Sequence, residues 1–161
     1  MINLFKKKNE VVVHACVEGQ LKDIKEVNDP MFAGELIGKG MAIVPTSHSV
    51  VSPVNGTILM VFPTNHALGI QCENGLELLI HIGIDTVKLK GEGFKAFVQE
   101  GQTVKVGDLL VEVDFELVKE KGYSIDTLMV VTSVKENYKI EYTEVNRKVK
   151  SSDEAFKILK L

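Results

Sequence analysis

Arginine is almost absent from this chain. Of 19 cationic residues only Arg147 is arginine. A site that clamps phosphate with paired, bidentate guanidinium groups is therefore hard to build from this chain alone. Positive charge in excess is missing as well: 22 Asp and Glu against 19 Lys and Arg leave a formal net charge of −3. Proteins that live by contacts to a phosphate backbone are normally basic, so nucleic acid is not an expected partner. No apolar run is long enough to cross a bilayer. The most apolar stretch, residues 76–84, is nine residues and contains Glu77 and His81, where a span needs about 20. The N-terminus, MINLFKKKNE, places its charges after its short apolar piece, the reverse of a signal peptide. Cysteine is scarce: Cys16 and Cys72 form no CxxC and no metal-ligand spacing. Reduced thiols in a cytoplasmic protein are expected. Gly and Pro together are 17 of 161 residues, which excludes collagen-like and Pro-rich disordered classes.

Several catalytic signatures are missing too. There is no GxSxG, HExxH, HxH or EF-hand loop. The run GELIGKG at 34–40 looks like a P-loop but is one residue short and lacks the Ser or Thr after Lys39. No Met-Lys-Met or Asp-Lys pair marks a hairpin tip for biotin or lipoyl attachment. The sequon Asn55-Gly56-Thr57 reads as turn chemistry.

What is present is β-branched. Val (22) and Ile (12) gather in short runs at 11–13, 41–44, 56–62, 68–72, 76–84, 96–98, 109–113, 129–132 and 138–142. Such runs, separated by Gly, Pro, Asn and Asp, read as strands. No helical pattern of 10–15 residues lies between them, so a sandwich or barrel is expected rather than βαβ units. Two short helical turns are predicted. One begins at a capping Asp29 followed by Pro30; the other runs from Asp114 to a stop at Gly122. Residues 15–21 (ACVEGQL) echo 52–58 (SPVNGTI), which suggests a duplicated hairpin with a glycine supplying a turn or bulge in each copy. The segment 99–110 reads as a polar turn feeding a strand. Length suits one domain: residues 1–10 as a flexible N-terminal segment and 11–161 as the folded unit. The start at Met1 and the lack of a span favour a free protein over an excised permease domain.

Strand periodicity singles out a histidine. Positions 76, 78, 80, 82 and 84 are Leu, Leu, Ile, Ile and Ile, an unbroken core face; 77, 79, 81, 83 and 85 are Glu, Leu, His, Gly and Asp. His81 therefore points away from the main core. Gly83 is expected to leave one flank of its ring open, with the carboxylate of Asp85 one step further. A ring mounted on a rigid strand beside a carboxylate suits nucleophilic or acid–base work. His66 shares strand parity with Thr64, whose hydroxyl can orient an imidazole. His14 and His48 are expected to be structural or solvent-facing.

The runs LLIHIGIDTVKLKGEGF (78–94), PVNGTILMVFPTNHALGI (53–70) and EGQTVKVGDLL (100–110) resemble the glucose-type enzyme IIA domain of the bacterial phosphoenolpyruvate–sugar phosphotransferase system. The likeness extends from about Val11 to Tyr142. It implies an all-β fold: a compact antiparallel β-sandwich, of the barrel-sandwich hybrid kind with the duplicated hairpin. It also implies a cytoplasmic, monomeric phosphocarrier. The phosphocarrier protein HPr gives its phosphoryl group to a His, and that His passes it to a Cys on the enzyme IIB domain of a sugar permease. By the resemblance His81 is the phosphorylated residue, His66 its supporting partner and Thr64 the hydrogen-bonding neighbour. Asp29 and Asp85 match acidic positions facing HPr, and Phe62, Met31 and Ile37 an apolar rim. HPr would supply any arginine, and phosphorylation at His81 would change the charge that regulatory partners meet. No cofactor is required. Zinc held by His66 and His81, completed by a carboxylate from a partner, is a further expectation. Two departures stand out: Cys16 where the family usually has Pro, and Lys39 where it has an acidic residue. Two rival classes fit less well. A zinc peptidase of related fold needs HxH, and position 83 is Gly; a lipoyl- or biotinyl-type carrier needs a hairpin lysine in a context that Lys88 and Lys90 lack.

Overall fold

A computed structural model describes residues 10–132 and 137–161. Fourteen strands follow in order: β1 Glu10–His14, β2 Gly19–Asp23, β3 Lys39–Pro45, β4 Ser49–Val51, β5 Gly56–Val61, β6 Ala67–Cys72, β7 Glu77–Ile82, β8 Phe94–Ala96, β9 Thr103–Val104, β10 Leu109–Val113, β11 Thr127–Val131, β12 Tyr138–Tyr142, β13 Lys148–Val149 and β14 Glu154–Lys160. Two short helices, α1 Pro30–Ala33 and α2 Phe115–Glu120, and two 3-10 turns, Ile24–Glu26 and Thr86–Leu89, are the other elements among the described residues. The predicted all-β antiparallel architecture with two helical turns is what forms.

Every strand pair is antiparallel. An eight-stranded sheet runs β13-β2-β3-β11-β7-β6-β5-β9, and two three-stranded sheets, β1-β14-β12 and β4-β10-β8, pack with it. The main core lies among them and includes Leu76, Leu78, Ile80 and Ile82 from the predicted inward face of β7. The opposite face of the large sheet carries a smaller apolar cluster: Ile24, Val27, Phe32, Ala42, Ile84, Leu128 and Val130. This cluster is what α1 covers. Asp29 caps α1 by accepting a hydrogen bond from the Met31 amide at 2.9 Å, with Pro30 in the first turn. Asp114 caps α2 in the same way through the Leu117 amide, and Gly122 follows with φ +91°.

Five strands escape the sequence reading: β9 and β13, of two residues each, and β2, β4 and β14. β2 (GQLKD) and β4 (SVV) are too short and polar to stand out, and in β14 (EAFKILK) lysines interrupt the apolar residues. β8 occupies Phe94–Ala96, two residues before the expected run. Glu10, assigned from sequence to the flexible segment, already pairs with Leu159; residues 1–9 of that segment lie outside the described residues. The hairpin echo is present, but its glycines act differently from expectation. Gly19 opens β2 and Gly56 opens β5. Neither has a positive φ. A Cβ on Gly19 would lie 2.1 Å from the Val44 carbonyl oxygen, and one on Gly56 2.1 Å from that of Gln71. Close strand approach, not turn geometry, requires them. Both thiols are buried, and burial pushes each up to about 12.

Candidate functional site

The site grows from the pairing of β6 with β7. His81 stands on β7 opposite Ala67 on one side and Leu128 on the other. His66 immediately precedes β6, and its carbonyl accepts the Ile82 amide at 2.7 Å. Sheet pairing thus brings the two imidazoles together, with centroids 5.1 Å apart and planes at 85°. A phenylalanine walls each ring. Phe32 packs on His81 at 4.9 Å, and Phe62 meets His66 edge-on at 5.5 Å.

Hydrogen bonds fix both rings. His81 Nδ1 is 2.8 Å from the carbonyl oxygen of Gly83. A carbonyl can only accept, so Nδ1 carries the proton and Nε2 keeps a lone pair. Thr64 Oγ1 is 2.5 Å from His66 Nδ1. His66 is buried, 4% exposed. Burial pulls its pKa down to about 4, and the neighbouring His81 ring adds to the fall. Burial also lowers His81; the bond to Gly83 and the carboxylates of Asp29 and Asp85 oppose that fall. At neutral pH both rings are uncharged.

Gly83 differs from the sequence expectation. It does not leave open space beside His81. Its φ is +75°, and an added Cβ would meet Thr86 Cγ2 at 2.4 Å and the Ser124 carbonyl oxygen at 2.9 Å. Its contribution is a left-handed turn that aims its carbonyl back at His81. Asp85 sits in the next left-handed position, φ +60°, with an exposed carboxylate that makes no capping hydrogen bond.

The predicted rim is only partly assembled. Met31 is 48% exposed and Phe62 half-buried. Ile37 is half-buried and packs on the small cluster under α1. Sequence reading missed Phe32, Leu36 and Val87. Leu36 and Val87 are 69% and 49% exposed, on the loop after α1 and on the 3-10 turn after Asp85. Phe32 was legible in principle: three residues past a cap, one turn of helix points back at the sheet. His14 and His48 place their Nδ1 atoms against the carbonyls of Pro53 and Val113, which are structural positions.

Comparison with known proteins decides the family. Residues 11–137 match the family described as phosphoenolpyruvate-dependent sugar phosphotransferase system, EIIA 1. The chain belongs to this EIIA family. The glucose-specific EIIA component of Bacillus cereus is 46% identical over 158 residues, covering 98% of this chain and 96% of that one. That of Halalkalibacterium halodurans is 54% identical over 125 residues, covering 78% and 72%. Glucose permease IIA from Mycoplasma capricolum superposes with a TM-score of 0.86 at 38% identity, covering 92% of this chain and 95% of that one. As an EIIA chain it is a phosphocarrier component of the sugar phosphotransferase system. No helix among its described residues is long and apolar enough to cross a membrane.

Proposed function

We propose that this EIIA chain carries its phosphoryl group on His81 Nε2. It takes the group from phospho-HPr and passes it to a Cys of an enzyme IIB domain, in the cytoplasm. The observation that carries this reading is the His81 Nδ1–H to Gly83 carbonyl hydrogen bond, which leaves Nε2 unprotonated. In the acceptance step the Nε2 lone pair attacks phosphorus in line. The new N–P bond forms as the donor's N–P bond breaks, and the donor ring recovers its electron pair. The phosphorylated ring, still protonated at Nδ1, is cationic. The Gly83 carbonyl and the carboxylates of Asp29 and Asp85 favour that charge, as they favour protonation of the free ring. Transfer onward reverses the geometry: a thiolate attacks phosphorus, S–P forms, and Nε2 recovers its pair.

His66 stabilises the moving group. With the Thr64 hydroxyl donating to Nδ1, His66 keeps its proton on Nε2, a donor for phosphoryl oxygens beside His81. Arg147 is not available for this work. It donates to Thr143 Oγ1 at 3.1 Å and to the Glu154 carbonyl at 2.5 Å, beside the three-stranded β1-β14-β12 sheet. Any arginine at the site must come from the donor. Met31, Leu36 and Val87 provide exposed apolar surface for brief docking with two partners in turn. Incubation with phosphoenolpyruvate, enzyme I and HPr tests the reading, with mass mapping of an acid-labile phosphoryl group. Mapping to any residue other than His81 would refute it.

Zinc is a second proposal for the same pair. Neutral imidazoles are zinc ligands, but among the described residues no three His, Cys, Asp or Glu are grouped for a metal. His66 and His81 supply two positions, and a partner's carboxylate would have to complete the site. Calorimetry with zinc, alone and with a partner, tests this.

A further inference from the structure

Thr86 is fully buried, 0% exposed, and has no part in the chemistry described so far. A hydroxyl taken out of water needs a partner. It finds one close to the reacting ring: Thr86 Oγ1 donates to the Ile82 carbonyl at 2.5 Å. The next atoms along the chain complete the picture. The Ile82 carbonyl and the Gly83 amide belong to one peptide plane. The Gly83 amide donates to the Asp126 carbonyl at 2.9 Å, so both polar ends of that plane are held. Beyond it lies Gly83, and then the carbonyl that takes the His81 Nδ1 proton at 2.8 Å. Glycine by itself does not fix the direction of its carbonyl, because it tolerates nearly all backbone angles. The Thr86 methyl also lies where a Cβ on residue 83 would fall, 2.4 Å away. The same Ile82 residue donates its amide to the His66 carbonyl at 2.7 Å. Ile82 is therefore held at both ends, its amide by the backbone of His66 and its carbonyl by Thr86.

We infer that Thr86 is a positioning residue for His81. Its hydroxyl locks the Ile82–Gly83 peptide, which aims the Gly83 carbonyl and so sets the tautomer and direction of the imidazole. This rests on the reading that His81 accepts the phosphoryl group. It adds that the competence of His81 depends on a hydroxyl five residues away that never touches the ring.

The experiment compares Thr86→Val, which keeps the volume and loses the hydroxyl, with Thr86→Ser, which keeps the hydroxyl. Nitrogen-15 NMR of the imidazoles reads the tautomer directly. The parent and Thr86→Ser should show His81 protonated at Nδ1. Thr86→Val should show a mixture of tautomers and accept phosphoryl from phospho-HPr about tenfold to a hundredfold more slowly. Serine should restore most of the rate. A valine variant with the parent tautomer and parent rate overturns the inference. In the parent protein the Thr86 hydroxyl proton should be visible and slow to exchange. Exchange at the solvent rate overturns the inference whether or not the valine variant folds. The two readings fail separately: phosphoryl mapped to a residue other than His81 removes the functional reading, while the tautomer comparison still judges Thr86.

Discussion

Replacing Gly83 with alanine puts the turn behind His81 under direct load. The residue sits at φ +75°, a region that costs an L-residue about 1–2 kcal/mol. The new methyl would lie 2.4 Å from Thr86 Cγ2 and 2.9 Å from the Ser124 carbonyl oxygen. Relieving such contacts in a packed interior costs about 1–3 kcal/mol more. The sum is about 2–5 kcal/mol, and for a chain of 161 residues each kcal/mol moves Tm by about 2–4 °C. A thermal melt should show Tm lower by about 4–20 °C. Gly69→Ala is the control, since a Cβ there meets only Leu59 Cβ at 3.9 Å and φ is not positive; its Tm should stay close to the parent's. Adding Thr86→Ser to Gly83→Ala removes the methyl responsible for the closest contact. The pair should therefore cost less than the sum of the two single changes. A Gly83→Ala protein melting within about 2 °C of the parent would refute the argument that this turn is sterically closed to a side chain.

His81→Ala should reduce phosphate incorporation from phospho-HPr to background with an unchanged circular dichroism spectrum, and one phosphoryl per chain in this variant would refute the assignment. His66→Gln should still accept phosphate but pass it on about tenfold to a hundredfold more slowly. The same variant tests a pH effect. Because His66 titrates near 4 when folded and near 6.5 when unfolded, the unfolded chain binds the extra proton, and stability falls as pH drops from about 6.5 toward about 4. Urea titrations at pH 7 and pH 5 should show a smaller loss for His66→Gln than for the parent, and equal losses would contradict it. Asp29→Asn with Asp85→Asn should lower the His81 pKa in an NMR titration, since both carboxylates raise it. It should also slow association with HPr at low salt, with the deficit shrinking as salt rises. Asn caps as well as Asp, so Tm should hold; unchanged association at low salt would leave Asp29 as a cap alone.

The core face of β7 was readable because it is periodic: the aliphatics at 76, 78, 80 and 82 face the main core, whereas Ile84, expected beside them, lies past the Gly83 turn in the cluster under α1. The same parity put His81 outside the main core. The cap at Asp29-Pro30 was readable because capping is local chemistry. What stayed hidden depends on contacts distant in sequence. β2 has one buried aliphatic, Leu21, and is a strand because β3 and β13 pair on either side of it. The room beside His81 could not be assigned from spacing, since Gly83 looks like an absence until the chain turns left-handed over Thr86. Phe32, 49 positions from His81, meets it only after α1 folds onto the outer face of the sheet.

The sheet that bears the histidines ends on both sides in strands of two residues, Lys148–Val149 and Thr103–Val104. A long bare edge would offer a row of unpaired amides and carbonyls to any extended segment of another chain, and such zippering is slow to undo. Here the edges are too short to template a guest strand, and a lysine stands on one of them. The open face offers a visitor side chains instead, Met31, Leu36 and Val87 among them. A relay that hands one group between two visitors in succession needs each to leave as readily as it arrives, and blunt edges on a sticky face provide that release.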